Sequence, residues 1–223
     1  MPRVSPSIFE FLETLKQNNH REWFHAHKQV YKERRALVTE YAQYILEGLN
    51  ISDDIEKFKV FHIHIDVRFK KDKTPYKTHF SFFYVRKKPK LRGGYYVHLS
   101  PNSSFIAGGF WKPEKDDLLR IRQEFEMDAQ KFRDFSLDPK FKKVWGNLYG
   151  TEVKTAPKGF SKEHQNIDLI RKKQLIFRSP LSDQQVFSKS FLDDVVRRFE
   201  LIRPFFDYMS DVLTTDLNGE SIL

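Results

Sequence analysis

Cysteine is absent from this 223-residue sequence, which excludes both a disulfide framework and a thiolate nucleophile. Glycine and proline are sparse, at 9 and 10 residues, and form no low-complexity linker that would divide the chain. No apolar run approaches the roughly 18 residues that a membrane-spanning helix needs. The opening Met1-Pro2-Arg3-Val4-Ser5-Pro6 lacks an apolar signal core, and Pro2 stands where myristoylation requires Gly, so a cytoplasmic protein without membrane attachment is expected. Also missing are the phosphate-binding Gly-x-x-x-x-Gly-Lys-Ser/Thr loop, a Gly-x-Gly-x-x-Gly turn after a strand, and a Gly-x-Ser-x-Gly elbow. No cofactor is assigned.

What the chain has is aromatic bulk and uneven charge. Its 22 Phe, 9 Tyr and 3 Trp exclude a disordered chain, because that much apolar surface drives collapse. Lys+Arg number 39 against 30 Asp+Glu, a formal net charge of +9. Between Lys57 and Arg92 stand twelve Lys/Arg and two acids, Asp66 and Asp72, a net +10 that leaves 27 basic and 28 acidic residues elsewhere. Clustered cations raise the local concentration of anions, although a lysine-rich surface also serves solubility alone.

The periodicity predicts an α+β fold in one domain, 1–223: helices at 7–49, a sheet over 57–111, mixed helix and loop over 113–187, and a C-terminal helix over 188–213. Ser7-Ile8-Phe9-Glu10 has capping-box spacing for a helix over 7–17. Asn18-Asn19 ends that helix and can cap a long one over 21–49, with a break near Glu33. Alternation of Phe61, Ile63, Ile65, Val67 and Phe69 with His62, His64, Asp66, Arg68 and Lys70 predicts a half-buried strand over 61–69. Asp72-Lys73-Thr74-Pro75 reads as a turn. Strand-like runs at 78–86, 94–100 and 103–111, with short connections, imply an antiparallel meander of about four to six strands. Gly108-Gly109 suggests a bulge or a close backbone approach. Pro113 is placed at the start of a helix reaching 127, a short helical piece follows at 128–136, and 137–160 is poorly patterned. Lys173 to Phe177 is a short strand, and Pro204 is expected to kink the last helix.

Three kinds of chemistry are open to these residues. In a strand, His62, His64, Asp66 and Arg68 share one face, and His-x-His is a metal-chelating spacing. The Cα of Asp66 would lie about 13 Å from that of His62, so a third ligand would have to come from His79 or His98. Secondly, Arg68, Lys73 and Lys77 around a Pro-stiffened turn offer a planar fork and mobile point charges to phosphate or carboxylate. Here Tyr76 would donate a hydrogen bond, Asp66 would orient Arg68, Asp72 would shape the turn, and Tyr96 and His98 would come from a later strand. A small anionic ligand held by Asp66, Arg68, Asp72, Lys73, Tyr76, Lys77, Tyr96 and His98 is the leading expectation; a hydrolase using Asp66, Asp72, His79 and His98 is an alternative. Thirdly, the basic loop 86–92, with Phe82, Phe83, Tyr84, Tyr95 and Tyr96 as stacking rings, would suit nucleic acid.

The run Asp66-Val67-Arg68-Phe69-Lys70-Lys71-Asp72-Lys73-Thr74-Pro75-Tyr76-Lys77 resembles domain-of-unknown-function family 2461, uncharacterised proteins widespread among bacteria. So do the segment Phe11 to Phe24, Gly94-Tyr95-Tyr96-Val97-His98-Leu99, Gly108-Gly109-Phe110-Trp111 with Pro113, and Pro157-Lys158-Gly159-Phe160. Together they cover nearly the whole chain. The resemblance implies a domain of this length and no established reaction. Members tend to carry Arg or Tyr in place of His62, His64 and Ile65, and Ser in place of Lys70, which argues against a shared metal site. Asp66, Arg68, Asp72, Lys73, Tyr76 and Lys77 match position by position.

Overall fold

A computed structural model describes residues 3–68 and 71–223; Phe69 and Lys70, the end of the expected strand, lie outside the described residues. The elements run α1 (Ser7–Gln17), α2 (Arg21–Ala26), α3 (Lys28–Leu49), β1 (Ile55–Val60), β2 (Phe80–Arg86), β3 (Gly94–Leu99), β4 (Ser104–Phe110), α4 (Lys115–Met127), α5 (Gln130–Leu137), α6 (Pro139–Trp145), α7 (Ile167–Ile170), β5 (Leu175–Leu181), α8 (Asp183–Val186) and α9 (Phe191–Thr214). The strands form one antiparallel five-stranded sheet in the order β1-β2-β3-β4-β5, so the α+β class and the meander are as expected. The sheet extends beyond 111, because β5 joins it beside β4. Among the described residues no helix is long and apolar enough to cross a membrane.

The chain falls into two compact units. One comprises residues 1–84, 96–106 and 180–197; the other comprises 85–95, 107–179 and 198–223. In the first, α1 buries Ile8, Phe9, Phe11, Leu12 and Leu15 at helical spacing, and Phe11 and Tyr31 both reach the ring of Phe80, at 6.3 and 6.1 Å. The Tyr84 hydroxyl donates to the Ala42 carbonyl at 2.7 Å. Phe80 and Tyr84 of β2 therefore face α1 and α3, and the odd-numbered side chains between them face the other way.

Two capping expectations are corrected. The N-cap of α1 is Pro6, with no side-chain cap bond, and Ser7 lies inside the helix, its hydroxyl against that of Ser5 at 2.7 Å. The long second helix breaks at His27 rather than near Glu33. There the imidazole stacks on Trp23 at 4.0 Å, and its Nδ1 lies 2.8 Å from the Trp23 carbonyl oxygen, a side chain competing with the helical ladder. His20 rather than Asn19 caps α2.

In the second unit, Phe132, Phe135, Phe141, Phe177 and Phe205 make a chain of ring contacts from 4.1 to 6.4 Å. Gly109 realises the expected close approach: a Cβ there would overlap the Leu175 carbonyl oxygen and lie 2.8 Å from the Ile176 Cα. In the poorly patterned stretch, Asp138 accepts from the Phe141 amide at 2.8 Å and Pro139 opens α6. Pro113 precedes α4 rather than starting it.

Candidate functional site

The expected strand over 61–69 is not one. β1 ends at Val60, and beyond it residues 61–68 hold a single isolated bridge, His64 to Tyr76. The Phe61 amide donates to the Ser81 carbonyl, but two residues later Lys77 donates to the Ile63 carbonyl and Ile65 to that of Pro75. The return segment thus carries two extra residues between these pairs, the ladder breaks, and 61–68 and 71–77 stand as an arm. The alternation survives the loss of pairing: His62, His64, Asp66 and Arg68 are exposed, whereas Ile63 is buried.

The arm has its own fastenings. Tyr76 is 5% exposed and stacks on Phe24 at 4.0 Å. The Asn19 side chain grips its backbone from both sides, with Nδ2 donating to the Tyr76 carbonyl at 2.9 Å and Oδ1 accepting from its amide at 3.1 Å. An amide so placed imitates a neighbouring strand. Tyr76 is thus an anchor of the arm, and burial pushes the pKa of its hydroxyl up.

At the tip, Asp66 accepts from Arg68 Nη2 at 2.7 Å and from Nε at 3.0 Å. Asp72 caps its own turn, accepting from the Thr74 amide at 2.9 Å and from the Thr74 hydroxyl. Lys73 donates to the Val67 carbonyl at 3.0 Å, and Lys77 to that of His62 at 2.8 Å. Two cations assigned to an anion therefore also brace the arm.

His64 packs edge-on against Phe24 and Tyr76, at 5.5 and 5.3 Å, and burial, then the charges of His62 and Lys28, hold its pKa below the ordinary value. Among the described residues no three or more His, Cys, Asp or Glu side chains are grouped so as to hold a metal ion, so His62 and His64 find no third ligand in His79 or His98. The hydrolase set is divided as well: Asp66 and Asp72 serve local pairs, while His79 and His98 meet ring to ring at 4.1 Å.

That meeting belongs to a feature only partly foreseen. On the face of the first unit's strands that points away from α3, Phe61 lies 6.3 Å from Tyr96, Tyr96 5.7 Å from Phe105, and Phe105 stacks on His98 at 4.6 Å. The Tyr96 hydroxyl sits 3.1 Å from His98 Nδ1. Phe61, His79, Tyr96, His98 and Phe105 are all partly exposed. Two ammonium groups flank the row, Lys59 at 5.7 Å and Lys77 at 5.6 Å from the Phe61 ring centre. Burial, then the Lys77 charge, pull the pKa of His79 down to about 4. Of the expected ligand residues, the geometry brings Lys77, Tyr96 and His98 to this face. Lys59, Phe61 and Phe105 were missed, and His79 was named only as a metal or hydrolase candidate, although the alternation over 94–99 was the signal that could have found their neighbours.

The basic loop 86–92 is corrected at its two arginines, while Lys87, Lys88 and Lys90 are exposed. Arg86 is 1% exposed, pairs with Asp207 at 2.6 Å and lies over Phe206 at 5.4 Å; Arg92 pairs with Asp117. Phe82, Tyr84 and Tyr95 are buried and cannot stack bases, whereas Phe83 and Tyr96 remain partly exposed.

The model of the family of conserved hypothetical proteins DUF2461 matches residues 7–208, and the chain belongs to that family. No curated protein and no solved structure matches it.

Proposed function

We propose that the protein binds a small anion carrying a planar ring, of nucleotide type, on the ring-lined sheet face, with Lys59 and Lys77 holding the anionic group. The observation that carries this reading is the run of partly exposed rings Phe61–Tyr96–Phe105–His98 with two ammonium groups within 6 Å of its first member. Rings bind planar groups through offset stacking, and lysines supply mobile point charges. Arg68, aligned by Asp66, gives a fork for a further phosphate or carboxylate oxygen. A thermal-shift panel tests this. Nucleoside monophosphates should raise Tm where inorganic phosphate, sugar phosphates and aliphatic acids raise it less. Tyr96→Ala should abolish the shift and Arg68→Ala should reduce it. A flat panel contradicts the reading.

The contact of Tyr96 Oη with His98 Nδ1 at 3.1 Å favours one second reading, an acid–base hydrolase. In it His98 moves the proton and Tyr96 fixes its ring. Turnover of phosphate or carboxylate esters that is lost in His98→Gln supports it; no turnover removes it.

A further inference from the structure

The ring row is longer than one base needs. A single planar ligand covers one ring, yet Phe61, Tyr96 and Phe105 follow one another at 6.3 and 5.7 Å across the sheet. Rings set side by side on neighbouring strands form a platform on which successive bases of a single strand stack, and such stacking tolerates any sequence because every base has a π-face. Charge accompanies the row. Lys57 and Lys59 are exposed on β1, an edge strand of the sheet, and Lys77 lies across the Phe61 ring from the arm. Lysines on an edge strand also discourage strand-to-strand aggregation, but that role does not require Lys59 to reach over Phe61, as it does.

We infer that this face binds single-stranded nucleic acid, bases on Phe61, Tyr96 and Phe105 and phosphates along Lys57, Lys59 and Lys77. The inference rests on the ring-and-anion reading above and extends it from a monomer to a polymer. With three phosphates neutralised, single-strand affinity should fall about 20-fold between 50 and 200 mM salt. Each lost ring should weaken binding about 5- to 150-fold.

Fluorescence anisotropy with labelled 12-nucleotide oligouridylate and oligodeoxythymidylate tests it, with the mononucleotides and a 12-base-pair duplex as competitors. The expected result is a 12-mer bound at least tenfold more tightly than a mononucleotide and more tightly than the duplex, and weakened by Phe105→Ala and by Lys59→Gln. Phe105→Leu, which keeps apolar volume without a ring, should weaken it too, so a loss through misfolding is told apart from a loss of stacking. If mononucleotides bind and the 12-mer binds no more tightly, the polymer is overturned and the monomer site stands. If neither binds, both fail. Binding of the 12-mer unchanged in Phe105→Leu and Lys59→Gln would overturn the assignment to this face.

Discussion

Tyr76 and His79 stand three residues apart and do opposite work. Tyr76 holds the arm to the helices: its ring is stacked on Phe24 and its backbone is clasped by Asn19. Truncating a buried aromatic side chain removes about 3–5 kcal/mol, so Tyr76→Ala should lower the unfolding free energy measured in urea by that order and speed amide exchange at Ile65 and Lys77, whose bonds close the arm. Unchanged exchange there would show that the arm is held by something else. His79 is held neutral, with a folded pKa of about 4 against an ordinary 6.5. The unfolded chain takes up a proton in that interval and the folded one does not. Stability therefore rises with pH across the interval, and it is lost as pH falls from 6.5 towards 4. Tm profiles should show this decline, shallower in His79→Gln; an equally steep profile in the variant contradicts it.

Two elements carry predictions of their own, both in the second unit. At Gly109 the obstacle to a side chain is the backbone of β5, which cannot turn aside as a flexible side chain can, and φ is +143°. Gly109→Ala should cost about 3 kcal/mol, roughly 6–12 °C in Tm. A Tm within a degree or two of the parent would mean that β5 yields. Arg86 joins β2 to α9 through Asp207, with side chains 2% and 51% exposed. In Arg86→Ala the remaining carboxylate can rehydrate, so the loss should be about 2–3 kcal/mol rather than the 3–5 of a fully buried pair. Arg86→Met, which keeps bulk over Phe206, should lose less, and chemical denaturation of the two variants checks the order.

The elements also show what the sequence could and could not tell. Helical spacing located α1, α3 and α9, because apolar residues three and four apart report burial directly. Alternation over 61–68 told the exposed residues from the less exposed ones, but it implied a hydrogen-bonded strand where the strand ends at Val60. Which side a residue faces is local information; whether its backbone has a partner is not. β5 was placed at 173–177 rather than Leu175–Leu181 because Pro180 interrupts the pattern, and an edge strand tolerates proline. Arg86 and Arg92 read as loop cations because nothing near them in sequence announces Asp207 or Asp117.

At the scale of the whole molecule, a net +9 is a poor guide to function until its charges are sorted by partner. Arg86 and Arg92 are internal, and Lys73 fastens the arm. Lys59 and Lys77 are placed against the Phe61 ring. The candidate site was half legible for the same reason: Tyr96, His98 and Lys77 stood out as residue types, whereas Phe61 and Phe105 look like core until the sheet shows which face they occupy. The central claim, that this face is a binding surface, is tested most directly by aromatic-resonance NMR on titration with a nucleoside monophosphate. Saturable shifts confined to Phe61, Tyr96, His98 and Phe105, with Phe11, Phe24 and Phe80 unmoved, are predicted. Shifts absent at millimolar ligand, or centred on other residues, would contradict it.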